Sequence, residues 1–126
     1  MYKEYSICNE IKSVNTLALD WDETISDYPL AFRALAKPYD RVIIVTVNNE
    51  LTIDEAYLWF ERSTEDLEIF CCPYENMGDI PGWKAEVCYV EKVALMFDDN
   101  PDVVRACHQK GVNAICVSER DWKFEK

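Results

Sequence analysis

Five short apolar runs punctuate the chain: TLALD (16–20), RVIIVT (41–46), LEIFCC (67–72), KVALMF (92–97) and VNAICV (112–117). Runs that are apolar on both faces and rich in Val, Ile and Phe fit buried strands of a parallel sheet, not half-exposed hairpins. Between them the apolar spacing turns helical. Leu30, Ala34 and Leu35 mark a helix over 29–37, and Ile53, Ala56, Tyr57 and Phe60 form one stripe of a helix over 51–63. A short helix is expected over 83–91. Another spans 101–111, opening on Pro101 and closing on Gly111, the residue types favoured just inside a helix start and just past its end. Strand and helix alternate throughout, which predicts an α/β protein: a three-layer α/β/α Rossmann-like fold around a mainly parallel five-stranded sheet. The loop PYENMGDIPG (73–82) follows the third strand and falls at the carboxyl edge of that sheet.

Composition narrows the class. The 126 residues suit one domain, 1–126, with its core over 16–117, and a hydrophobic content of 49% suits a folded chain rather than a disordered one. No apolar run approaches the roughly 20 residues that cross a bilayer, and the N-terminus has no signal-peptide core. A cytoplasmic protein without a membrane partner is the expectation. The cysteines agree with it: Cys71, Cys88, Cys107 and Cys116 sit in apolar stretches, where reduced thiols pack as small hydrophobes. Cys71 and Cys72 are adjacent, not a C-x-x-C, and no ligand spacing joins Cys8, Cys72 and His108 into a metal site. A net charge of −11 without any Lys/Arg run disfavours nucleic acid as a partner, and leaves room for a bound cation.

Ligands of open α/β sheets bind beyond the carboxyl ends of the strands. The polar residues there are Asp20 and Asp22 after the first strand, Thr46 ending the second, Lys84 after the loop, and Asp98 with Asp99 ending the fourth. Each has an ordinary alternative. Asp20 and Asp22 could form a turn, Thr46 could be a strand residue, Lys84 a surface lysine, and Asp99 or Asn100 the cap of the helix at Pro101. Taken together they describe something more specific. Carboxylates crowded from two strand ends repel one another unless a cation joins them, and Mg²⁺, a hard ion with oxygen ligands, is the natural candidate.

The order D-W-D-E-T (20–24), an apolar strand ending in Thr46, Lys84 ahead of the fourth strand, and the closing pair Asp98-Asp99 resembles the haloacid dehalogenase superfamily of phosphohydrolases, in its small form without a cap domain. The resemblance spans residues 16–117. Trp21 is bulkier than the usual residue between the two aspartates, and Glu23 stands where Gly is common. The resemblance implies a Mg²⁺-dependent phosphatase that hydrolyses a phosphomonoester. Asp20 would be the nucleophile that becomes an aspartyl-phosphate, and Asp22 the acid and base. Asp20, the Asp22 backbone carbonyl, Asp99 and Asp98 would hold or orient the metal, and Thr46 and Lys84 would donate to the phosphoryl oxygens. Asn48 is a further contact to phosphate or leaving group. Thr24 would support the turn.

An open, cap-less site would suit a phosphorylated small molecule, a nucleotide or the end of a macromolecule, or closure by a second subunit in a homo-oligomer. Trp21, at the mouth, and Tyr28, Tyr74 and Trp83 would flank the substrate. Two alternatives stand beside this one: a catalytically weak binding or regulatory domain that keeps the metal site, and a phosphoacceptor domain of flavodoxin-like type. The second fits poorly, since the third strand ends in Cys71-Cys72 where the accepting aspartate should be.

Overall fold

Alternation along the strands sorts the core into two layers. In the computed structural model, which describes residues 15–60 and 66–117, the elements run β1 (Thr16–Leu19), α1 (Pro29–Ala36), β2 (Arg41–Thr46), α2 (Ile53–Phe60), β3 (Leu67–Cys71), α3 (Ile80–Val90), β4 (Leu95–Asp98), α4 (Pro101–Gln109) and β5 (Ala114–Cys116). Leu17 and Leu19 of β1 join Val42 and Ile44 of β2 on one face, under Phe32 and Ala36 of α1 and Ala56 and Phe60 of α2. Ala18, Ile43, Val45 and Met96 point the other way, onto Ala85 and Cys88 of α3 and Val103, Val104 and Cys107 of α4. Helices therefore cover both faces of an all-parallel sheet, a Rossmann-like three-layer arrangement.

The strand order is β3-β2-β1-β4-β5. The chain winds outward from β1 in one direction, then crosses back to add β4 and β5 on the other side. The order reverses between β1 and β4, which opens a crevice at their carboxyl ends. A flavodoxin-like sheet runs 2-1-3-4-5 instead, so the order excludes the phosphoacceptor alternative on topology alone. The described segment between Asp22 and Thr46 holds α1, and that between Thr46 and Lys84 holds α2, β3 and a 3₁₀ turn, Tyr74–Asp79. No helix among the described residues is long and apolar enough to cross a membrane.

Two boundaries depart from the sequence expectation. Helix α3 starts at Ile80 instead of residue 83, because the residues that looked like a loop are its first turn. Asp79 caps it by accepting the Gly82 N–H at 3.1 Å, Pro81 occupies a position where no N–H is needed, and a Cβ on Gly82 would run into the Asp79 carboxylate. Helix α2 is described only to Phe60; the remainder of the expected 51–63 helix lies outside the described residues. Helix α4 follows expectation at both ends. Asn100 caps it by accepting the Asp102 N–H at 2.8 Å, and Gly111 adopts φ 81° just beyond it.

The two-layer core predicts a sharp contrast between buried and edge positions. Ile43→Ala, at a fully buried residue, should cost about 2–5 kcal/mol. Ile115→Ala, on the half-exposed edge strand, should stay within about 0.5 kcal/mol. Urea unfolding midpoints of the two variants check this.

Candidate functional site

The site begins with strand register. Leu17, Ala18 and Leu19 pair with Leu95, Met96 and Phe97, and the Asp20 N–H extends this ladder to the Phe97 carbonyl at 3.0 Å. The next residues, Asp20 and Asp98, are thereby brought side by side. Both follow the alternation of Ala18 and Met96, so both carboxylates face the layer built by α3 and α4. Lys84, on the second turn of α3, enters between them. Its Nζ donates to Asp20 Oδ1 at 2.9 Å and to Asp98 Oδ2 at 2.8 Å. All three side chains are buried, with at most 8% of their surface exposed.

Each carboxylate has further partners. Asp98 Oδ1 accepts the Asn100 N–H at 2.9 Å, so both of its oxygens are engaged. The Thr24 hydroxyl donates to Asp20 Oδ2 at 3.4 Å, the supporting role expected of it. Asp99 is half-buried beside Asp20. Because Asn100 caps α4, Asp99 is not needed there. Asp20, Asp98 and Asp99 each offer an oxygen within 4.8 Å of the others, a set of hard donors suited to a divalent cation.

The electrostatics suit that cation. One ammonium faces two buried carboxylates, with a third beside them. Burial, then repulsion from Asp98, push the Asp20 carboxyl up to about 8 from 3.8, and Lys84 only partly opposes them. Burial alone would lower the Lys84 ammonium, but the charges of Asp20 and Asp98 outweigh it and hold lysine above its ordinary value. Burial first, and the Asp98 charge second, thus favour the protonated form of Asp20.

Between the strand ends lies an open cavity of about 420 Å³. Asp20, Asp22, Glu23, Lys84, Asp98 and Asp99 form its polar wall, while Val47, Ile80, Pro101 and Val103 form an apolar one. Asp22 reaches this cavity through a tight turn after β1, closed by Ser26 N–H to the Trp21 carbonyl at 2.9 Å. Glu23 takes φ 63° within that turn, and its N–H is held by the Ser26 hydroxyl at 2.9 Å.

The expected substrate contacts divide differently. Trp21 does not stand at the mouth. It is one residue out of phase with Asp20, so it follows Leu17 and Leu19 into the α1/α2 layer, 4% exposed, its ring edge-on to Trp59 at 5.3 Å between centroids. Thr46 lies at the end of β2 but is fully buried, in phase with Val42 and Ile44. Its hydroxyl accepts the Asn48 N–H at 3.0 Å, and Val47 forms the adjacent cavity wall. Asn48 serves the same loop, accepting the Glu50 N–H at 2.9 Å. Tyr28 packs on the α1/α2 layer, Trp83 on the α3/α4 layer, and Tyr74 is 90% exposed; none lines the cavity. Sequence reasoning missed Val47, Ile80 and Val103, and treated Glu23 only as an unusual neighbour. The alternation of Ile43, Val45 and Val47 was the available signal for the first of these.

No protein-family model, no curated protein and no solved structure matches the chain. What the site can do therefore rests on its own geometry.

The raised Asp20 value fixes the sign of a pH dependence. Between about pH 4 and 8 the folded chain holds a proton on Asp20 that the unfolded chain releases, so stability falls as pH rises through this range. With EDTA present, the wild type should lose on the order of 1–3 kcal/mol between pH 5 and 8. Asp20→Asn should remove that slope. Parallel pH profiles for the two proteins in urea unfolding would refute the assignment.

Proposed function

We propose that the chain is a phosphohydrolase of the haloacid dehalogenase type, hydrolysing a phosphomonoester through an aspartyl-phosphate on Asp20 with Mg²⁺ as cofactor. One observation carries this reading: Asp20, Lys84, Asp98 and Asp99, from three separate elements, converge where the strand order reverses, beside an open cavity. The spacing that suggested the family could arise without any such convergence.

The roles follow from placement. An ionised Asp20 oxygen attacks phosphorus, and the bond to the leaving oxygen breaks as that oxygen takes a proton from Asp22, which is exposed on the cavity wall. Water then attacks the aspartyl-phosphate, giving its proton to Asp22 and freeing phosphate and the Asp20 carboxylate. Lys84 supplies fixed positive charge to the phosphoryl oxygens and to Asp20 itself. Asp20, Asp98 and Asp99 are the residues that would hold Mg²⁺, with the Asp22 carbonyl as the fourth donor implied by the resemblance. The ion's contribution when bound is positive charge that offsets repulsion between nucleophile and phosphate. Asp98, bonded to both Lys84 and the Asn100 backbone, acts chiefly by positioning the lysine. Thr46 and Asn48 enter as supports of the loop after β2, not as the phosphate contacts first expected. The open cavity leaves space for a phosphomonoester on a small molecule, a nucleotide or a macromolecule end.

The test is hydrolysis of an aryl phosphate with and without Mg²⁺, using wild type and Asp20→Asn. Turnover should require the metal, and the variant should lose at least about 10³-fold in kcat. Hydrolysis that survives in Asp20→Asn would sink the nucleophile assignment. Metal binding without turnover on a broad phosphomonoester panel would favour a binding domain instead.

A further inference from the structure

The cavity beside Asp20 has two walls of opposite character, and the apolar one has no part in the chemistry assigned to the polar one. Val47 from the loop after β2, Ile80 at the start of α3, and Pro101 and Val103 at the start of α4 meet there from three separate parts of the chain. Val103 is buried, but Val47 and Ile80 are only half-buried and Pro101 is exposed, so apolar surface stays open to whatever enters. Covering such surface with an apolar group removes it from water, which is favourable.

The polar wall limits what else a ligand can carry. Among the described residues it sets five carboxyl groups, those of Asp20, Asp22, Glu23, Asp98 and Asp99, against one ammonium, that of Lys84. An ammonium has three N–H groups, and Lys84 gives one to Asp20 and one to Asp98. The third is left for one phosphoryl oxygen. No second lysine or arginine among the lining residues can pair a further anionic group, and the net charge of −11 adds repulsion from the rest of the chain.

We propose that the substrate carries a single phosphate and an uncharged leaving group with an apolar face, alkyl or aryl, seated on Val47, Ile80 and Pro101. Substrates bearing a second phosphate or a carboxylate are rejected by the carboxyl groups of the opposite wall. This class presupposes the phosphatase reading, with the phosphoryl group at Asp20, and narrows its phosphomonoester to one kind. Val47 and Ile80 are specificity residues: they touch the leaving group and not phosphorus.

The experiment measures binding, which needs no turnover: calorimetric titration of the full chain, in Mg²⁺, with four phosphonates whose carbon–phosphorus bond a phosphatase does not cleave. Benzylphosphonate should bind at least about tenfold more tightly than methylphosphonate. Phosphonopropionate, with its added carboxylate, should bind more weakly than methylphosphonate. Val47→Ser and Ile80→Ser should each bring the ratio of benzyl to methyl affinity toward one. Equal affinity for the benzyl and methyl compounds, tighter binding of phosphonopropionate, or tightest binding of the cationic aminoethylphosphonate would overturn the proposal, as would a site that binds none of the four. Because the ligand series is measured on wild type, a folding failure in either variant leaves it decisive. The expected order without hydrolysis of any aryl phosphate would remove the reaction and keep the ligand class; hydrolysis without that order would do the reverse.

Discussion

One lysine ammonium between two buried carboxylates is the interaction around which the carboxyl edge of this sheet is organised. Lys84 ties α3 to β1 through Asp20 and to β4 through Asp98, spanning the gap where the strand order reverses. Such a cluster is a poor stability device. Charges taken out of water recover their lost hydration only when well paired, and an apolar replacement of similar size is often as stable. Burial and the neighbouring Asp98 raise the Asp20 carboxyl by more than Lys84 lowers it. Stability is supplied elsewhere, by the two apolar layers on either side of the sheet. The cluster concentrates buried charge at the switch point of the sheet rather than holding the layers together.

Much of this was legible in the chain. Continuous apolar runs with helical segments between them specify the layers, because a strand covered on both faces needs no polar alternation. Pro101 and Gly111 mark α4 at both ends, and Asn100 was among the caps weighed. The two acidic pairs were visible as candidates because they end strands. The face to which each side chain points was harder to read. Trp21 and Thr46 looked like site residues by proximity to Asp20 and by position at a strand end. Strand phase sends both into the α1/α2 layer, and a shift of one residue is enough to exchange cavity for core. The start of α3 was misread for a related reason. Asp79, Pro81 and Gly82 carry turn chemistry in isolation, and here the same residues form the capped first turn of a helix.

Fold and function separate cleanly in this molecule. A 3-2-1-4-5 parallel sheet hosts many chemistries, and its switch point says where a ligand sits, not what becomes of it. The family resemblance supplies a reaction; the geometry supplies a reason to take that reaction seriously, since Asp20, Asp98 and Asp99 converge with oxygen donors at one point. An exposed acidic cluster is common without an ion. Here two of the three carboxylates are buried with a lysine inserted between them, and charge taken out of water is costly to keep.

The turn after β1 shows how the sequence reconciles two incompatible demands. Asp20 must face α3, yet Asp22, two residues on, must return to the same cavity with Trp21 between them. A straight strand would satisfy that spacing but would carry the chain away from the site. Instead Trp21 plugs the opposite layer against Trp59, fixing the chain there, and the backbone turns sharply at Glu23 with φ 63°. A left-handed conformation at a residue with a side chain costs roughly 1–2 kcal/mol. Ser26 closes the turn at both Trp21 and Glu23, and Thr24 bonds Asp20 from within it. The bulk of Trp21, which at first suggests a feature of the mouth, is the anchor that lets the strained turn hold Asp20 and Asp22 on the same side.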